Sequence, residues 1–290
     1  MHFSDPIRMG IHQRTMDELR ILACESIESQ NFLRLARTRL GTALRSGRAR
    51  RSIRETADDG LVHNYFSDHK IAVYTAIHGN YDTLKEPITV PDNCDFFVVT
   101  DQPMPENSVW QKRTIDFDQY GSNWTNVRKS RFAKMHPHLL FPDYEYSIYI
   151  DGTFQVRTDV TEFIQTMPPS GIKIHRHPTR SCVYDEIEAC IRLGKDDAAL
   201  LSQQRDRLRA AGVPRHYGLL ETGVVIRHHA QPACQAVMAL WWEELSAYST
   251  RDQVALIYAL WKLGIPVSEI GVLGPNMREN YAFSKSRHNR

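Results

Sequence analysis

From residue 70 onward the chain alternates short, unbroken apolar runs with longer stretches of helical period. Ile71-Ala72-Val73-Tyr74-Thr75-Ala76-Ile77 and Asp95-Phe96-Phe97-Val98-Val99-Thr100-Asp101 leave no face for water, as strands buried on both sides do. Tyr146-Ser147-Ile148-Tyr149-Ile150, Ile172-Lys173-Ile174-His175 and Gly223-Val224-Val225-Ile226-Arg227 read as further strands. Helical spacing predicts helices over 127–140, ending near Pro142, and then over 183–193, 196–211, 232–247 and 251–263. Strands alternating with helices predict an α/β fold with a mostly parallel sheet flanked by helices. The segment 266–290 is short, polar and poorly patterned, and the chain has no internal repeat or low-complexity tract.

The first 60 residues have a different character. Thr15-Met16-Asp17-Glu18 has the capping-box form, and Leu19, Leu22, Ile27, Leu33, Leu40 and Leu44 follow at imperfect amphipathic spacing. Arg34 to Arg54 contains eight arginines and no acid. Two readings fit: a solvated helix face, or a peripheral surface for anionic membrane lipid or another polyanion. Thr56-Ala57-Asp58-Asp59-Gly60 reads as a linker. The expected organisation is therefore a helical Arg-rich extension over 1–60 and one α/β domain over 61–290.

Composition adds exclusions. The chain has 36 Lys and Arg against 34 Asp and Glu, a net charge of +2 that makes no case for nucleic acid. Its five cysteines are odd in number, dispersed and without a CxxC pair, which excludes a disulfide framework and a structural zinc site. The N-terminus lacks the basic and apolar regions of a signal peptide, and no apolar run approaches the roughly 20 residues of a membrane span. The expectation is a cytoplasmic protein, with the inner membrane face as the place for the Arg-rich stretch.

In open α/β sheets, ligands bind beyond the carboxyl ends of the strands. Those ends here are His78-Gly79-Asn80-Tyr81-Asp82, Asp101 and Asp151-Gly152-Thr153, with Glu221-Thr222-Gly223 leading into the later strand. A carboxylate just past a buried strand suits a ribose hydroxyl or a divalent cation held against phosphates. Asp151 is the best placed, since Gly152 would let a ligand approach the backbone; a turn-forming Asp-Gly pair explains the same residues. No phosphate-loop sequence is present, and no GxGxxG follows the first strand. Phosphate charge would then fall to a metal or to Arg128, Arg131 and Lys134, which share a helix face.

His175 and His177 alternate along an extended segment as a metal pair would, and His228-His229 offer a second pair; structural histidines are the plainer reading of both. Ser181 is placed to cap the next helix, with Asp185 and Glu186 in its first turns. Thr250 is placed to cap the last one, with Asp252 and Gln253 following. Asp252 is either a carboxylate serving the helix dipole or a base or sugar ligand opening on a cleft.

Several of these segments, in one order, resemble a known family. Arg131-Phe132-Ala133-Lys134, His138-Leu139-Leu140-Phe141-Pro142 and Tyr146 to Gly152 are similar to the approach to the DxD motif of GT-A glycosyltransferases. Gly79-Asn80-Tyr81-Asp82, Arg180 to Glu186, Glu221 to His229 and Ser249-Thr250-Arg251-Asp252-Gln253 extend the likeness to the TOD1/MUCI70-like glycosyltransferase-like domains, over residues 70–264.

The resemblance implies a GT-A-like fold, a nucleotide-sugar donor, a saccharide or glycoconjugate acceptor, and Mn²⁺ or Mg²⁺. It implies that Tyr74, Thr75, Ala76, Asp101, Arg131, Lys134, Asp151, Gly152 and Thr153 bind the donor, with Asp151 as the metal ligand. It places His175, His177, Arg180, Tyr184, Glu186, Thr222, Gly223 and Gln253 on the acceptor or sugar side, and Asp252 and Glu221 as catalytic acids. Thr153 stands where the strict motif has a second Asp, and a hydroxyl is a poorer cation ligand. Two other readings stay open: a metal-dependent hydrolase using His175, His177, His228 or His229, and a saccharide- or nucleotide-binding module without turnover.

Overall fold

A computed structural model describes residues 69–288; the N-terminal extension and its Arg34 to Arg54 stretch lie outside the described residues. The predicted runs form β1 (Ile71–Ile77), β2 (Cys94–Thr100), β4 (Tyr146–Ile150), β6 (Ile172–Arg176) and β7 (Leu220–His228). A short edge strand, β3 (Gln111–Arg113), completes a six-stranded sheet in the order β3-β2-β1-β4-β7-β6. β1 to β4 are mutually parallel where they pair, and β7 runs antiparallel to both β4 and β6. The expected mostly parallel α/β sheet is therefore present, with one reversed strand.

That reversal positions the site. Because β7 is antiparallel, its beginning, at Leu220 and Glu221, lies at the same sheet edge as the ends of β1 and β4. Successive side chains of the strands serve two cores, as period-two backbone dictates. Ala72, Tyr74 and Ala76 face the helical side, where α5 (Pro232–Ala247) and α6 (Asp252–Lys262) bury Trp241, Val254 and Ile257. Ile71 and Val73 face the other side, covered by β5 (Phe154–Val156), β8 (Phe283–Lys285), and Met277 and Ala282. The poorly patterned tail is thus part of the core.

Helix α1 (Asn126–Met135) and the short α2 (Pro137–Leu140) replace the single helix expected over 127–140. Pro137 has no N–H to continue the hydrogen-bond ladder, so the chain breaks at His136. Helices α3 (Val183–Arg192), α4 (Ala198–Ala211), α5 and α6 match their predicted spans within two residues. Their caps differ from expectation. Cys182 rather than Ser181 begins α3, and Ser181 Oγ pairs with His216 Nδ1 at 3.2 Å. Arg251 rather than Thr250 begins α6, and the Thr250 hydroxyl donates to Asp196 Oδ2 at 2.7 Å.

The end of α1 is fixed from beneath. Arg227 on β7 is fully buried; it donates to the Lys134 carbonyl and, at 2.6 Å, to the Tyr74 hydroxyl. Tyr74 in turn donates to the carbonyls of Ala133 and Lys134, at 3.1 and 3.0 Å. A guanidinium at a helix C-terminus meets the negative end of the dipole, so this buried cation is stabilised there by the Lys134 carbonyl and the Tyr74 hydroxyl. Arg227→Met should lower stability by about 2 kcal/mol through the lost charge-assisted bonds. Urea denaturation measures it, and an unchanged midpoint would remove Arg227 from this role.

Candidate active site

A cavity of about 620 Å³ opens at the sheet edge defined by the ends of β1 and β4 and the start of β7. Ala76 to Gly79 and α1 form one end; His177 to Arg180 and the C-terminal half of α3 form the other. Asp151, Glu221, Thr222, Gly223, Asp252 and Gln253 lie along the wall between them.

The centre is a four-membered charge cluster. Lys134, with no exposed side-chain surface, holds Asp252 Oδ2 at 2.6 Å and Asp151 Oδ1 at 3.4 Å. Arg131, one turn earlier on α1, reaches the same oxygens at 2.9 and 3.8 Å. Burial alone would raise the Asp252 pKa; Arg131, Lys134 and Arg251 outweigh it and hold the carboxyl well below the usual range. Asp252 is thus a fixed anion, with Oδ1 also accepting the Gln253 N–H at 3.0 Å. Glu221 is more open: its Oε2 accepts the Met277 N–H at 3.1 Å, and it forms no ion pair among the described residues.

Other expected site residues are placed by the backbone. Ala76, Arg131, Asp151, Gly152, His177, Arg180, Glu186, Thr222, Gly223, Glu221, Asp252 and Gln253 all line the cavity. Tyr74 is core, as described, and Thr75 is buried away from the lining, with Oγ1 unpartnered. Asp101 lies off the cavity wall and accepts the Gly79 N–H with both oxygens at 3.1 Å, which pins the turn after β1. Gly79 has a φ of +66°, and a Cβ there would overlap Asn126 at the start of α1, so glycine is required twice over. Gly152 is also required by packing: Ile77 and Asp82 lie where its Cβ would stand. Gln253 ties α6 to β7 by donating to the Leu220 carbonyl at 3.1 Å.

At the other end, Arg180 Nε meets Glu186 Oε2 at 2.6 Å, and the Arg180 N–H donates to His177 Nδ1 at 3.0 Å. Tyr184 lies behind this wall and donates to the Val213 carbonyl at 2.7 Å. Thr153 is buried outside the lining. His175 is buried too, with Nε2 at 2.9 Å from Asn280 Nδ2. His228 lies opposite Tyr146, at the start of β4, the far end from Asp151, and stacks on that ring. His229 faces the Phe141 carbonyl at 3.1 Å. The four histidines therefore do not converge on Asp151, and the hydrolase arrangement does not form.

The donor set for a divalent cation is also incomplete. Asp151 Oδ1 already faces Lys134 and Arg131, and Thr153 turns inward. Among the described residues no three His, Cys, Asp or Glu side chains group around a metal position. A Mn²⁺ or Mg²⁺ here would have one protein carboxylate, Asp151, and would take its other ligands from substrate phosphates and water.

Basic cavity residues outside the sequence-based assignment include Lys195, Arg251, Arg278, Lys285 and His288. Three of these lie in the tail, where no periodic signal marked them. His288 Nδ1 is 2.8 Å from Asp82 Oδ1 and its ring is tilted against Tyr81.

Two outcomes test this geometry. Lys134→Met should cost about 3 kcal/mol in denaturant, because it strips a cation from a buried carboxylate, and Asp252→Asn in that background should restore part of it. A cost below about 1 kcal/mol would show the pair to be dispensable. Burial pushes His175 and His229 down to about 4. The unfolded chain binds these protons near pH 6.5, so stability is complete above about 6.5 and lost as pH falls toward 4. His229→Gln should flatten that slope by at most about 1.4 kcal/mol per pH unit; an unchanged slope would contradict a neutral buried imidazole.

The geometry can be set beside known proteins. A probable hexosyltransferase of Arabidopsis thaliana, MUCI70, is 24% identical over 211 residues, which cover 64% of this chain and 36% of that protein. The chain thus spans about a third of that relative's length. Among solved structures, the apo bifunctional glycosyltransferase WbbM aligns over 70% of this chain and 38% of its own, with TM-score 0.42 and 13% identity. The galactosyltransferase LgtC, bound to donor and acceptor sugar analogs, aligns over 65% of this chain and 69% of its own, with TM-score 0.39 and 12% identity. The TOD1/MUCI70 glycosyltransferase-like domain matches residues 55–285, and the chain belongs to that family.

Proposed function

We propose that the chain is a glycosyltransferase that moves a hexosyl group from a nucleoside-diphosphate sugar to a hydroxyl of a saccharide or glycoconjugate. The carrying observation is a pair of carboxylates of opposite character in one cavity: Asp252 locked as an anion and Glu221 open to accept a proton. Transfer with inversion at the anomeric carbon uses both. Positive charge develops at the anomeric carbon as the diphosphate leaves, and a fixed buried anion stabilises it without reorganising. The acceptor hydroxyl must lose a proton, and Glu221 is the wall carboxylate with an oxygen free to take it.

The nucleoside fits the β1 end. Tyr81, 55% exposed at the rim, offers a ring face for a base, beside the polar backbone of His78 and Gly79. The diphosphate then falls near Gly152, where Arg278 and Lys285 line the cavity without ion pairs among the described residues. The relative's description as a probable hexosyltransferase supports the class of group transferred.

The test is thermal stabilisation by a panel of nucleoside diphosphates and nucleotide sugars, with chelator and with Mn²⁺. At about 100 times its dissociation constant, a true ligand adds about 2.7 kcal/mol. One base should stand out, with chelator present, and Lys285→Gln should weaken it. No shift in either arm would overturn the transferase reading; a shift confined to Mn²⁺ would overturn the assignment of the diphosphate to Arg278 and Lys285. With the donor known, Glu221→Gln should lower kcat by roughly 100-fold or more, as removal of a general base does.

A further inference from the structure

The α3 end of the cavity carries two cations that no ion pair among the described residues engages, although Arg251 also contributes to the field that keeps Asp252 ionised. Arg251, the first residue before α6, lines the cavity, forms no ion pair among the described residues, and has Nε buried without a hydrogen-bond partner. Lys195, in the turn after α3, also lines the cavity and is also without an ion pair. A specific link brings the two turns together: the Thr250 N–H and hydroxyl both donate to Asp196 Oδ2 at 2.7 Å. Residues 195 and 251 each adjoin one partner of that link.

The neighbouring charges are already spent. Glu186 is held by Arg180. Asp252 and Asp151 are matched by Lys134 and Arg131. Asp196 is the nearest remaining carboxylate in sequence, and one of its oxygens is taken by Thr250. Asp197 is engaged too, capping α4 by accepting the Leu200 N–H, so Lys195 and Arg251 are the side chains without an ion pair that this lobe presents to the cavity. Beside it Leu193, 61% exposed, supplies an apolar face that suits the C–H side of a pyranose.

Position decides which substrate this lobe meets. β6, which leads into α3, is three strands from β1. At about 4.8 Å per strand this is about 14 Å, so the nucleoside end and the Lys195 end serve different partners. We propose that the Arg251–Lys195 lobe selects an anionic acceptor, a saccharide bearing a carboxylate or a phosphate. This rests on the transferase reading, because it assigns the β1 end to the sugar donor. Arg251 can grip two anionic oxygens at once, and Lys195 adds a mobile point charge at the rim.

Calorimetric titration of the full chain tests it with three probes: a glucuronate tetrasaccharide, its carboxyl-reduced glucose counterpart, and a 6-phosphorylated counterpart. The anionic probes should bind at least tenfold tighter than the neutral one, with an advantage that shrinks as salt rises. The tighter of the two anionic probes identifies carboxylate or phosphate as the recognised group. Arg251→Gln and Lys195→Gln should each erase most of that advantage and leave affinity for the neutral probe unchanged. Lys195 is exposed, so its variant tests recognition with little risk to folding, and melting temperatures of both variants check this. Equal affinity for charged and neutral probes, or an advantage that survives both substitutions, would overturn the proposal. Nucleoside-diphosphate binding by the same full chain tests the parent reading separately.

Discussion

The pairing of Lys134 and Arg131 with Asp252 is the constraint on which the site depends. It joins α1 to the start of α6 across a sheet edge, between residues 118 positions apart. Two cations and two carboxylates removed from bulk water are stable only while all four stay matched. Their backbones are therefore held on every side. Arg227 and Tyr74 grip the end of α1, Gln253 fastens α6 to β7, and Trp241 Nε1 donates to the Asp252 carbonyl at 2.8 Å. A site braced in this way resists drift in the positions of its charges, which electrostatic stabilisation of a transition state requires.

The reversed strand β7 makes this bracing compatible with an open cavity. A parallel strand in its place would begin at the opposite edge and carry Glu221 away from Asp151. Running antiparallel, it sets Ile150 opposite Val224 and so brings Glu221 to Gly223 beside the end of β4. The same reversal sends His228 to the far edge, which separates the histidines. One topological choice thus gathers the carboxylates and disperses the imidazoles.

Much of the fold was legible because its strands are buried on both faces: β1, β2, β4 and the Val224-Val225-Ile226 part of β7 announce themselves as near-continuous apolar runs, whereas β6 alternates Ile with Lys and His. β3 gave no such signal, since all three of its residues are exposed at an edge, and β5 and β8 are too short for a period to register. In the site, strand ends pointed to Asp151 and Glu221 without help from the fold. Tyr74 and Thr75 lie inside a strand buried on both faces, and nothing in the run marks Ala76 as the first of its residues to reach the cavity. Lys134 sits in a run of four buried residues, Phe132 to Met135, a burial that its place on a cationic helix face with Arg128 and Arg131 did not announce. Long-range pairings such as Lys134 with Asp252 leave no local mark on the chain.

The balance of the central cluster also dictates what must lie outside it. Lys134 and Arg131 are committed to Asp252 and Asp151, so neither cation is left to bind a departing diphosphate in the proposed transfer. In that proposal the leaving group is received by side chains not already matched, and at the donor end these are Arg278 and Lys285. Both belong to the tail, whose place is fixed by Met277 and Phe283 in the core and by the pairing of Phe154 with Lys285. Packing of two apolar residues in a polar, unpatterned segment is therefore a condition for chemistry at the sheet edge. The tail links them directly, because the Met277 N–H that begins it binds the open carboxylate of Glu221.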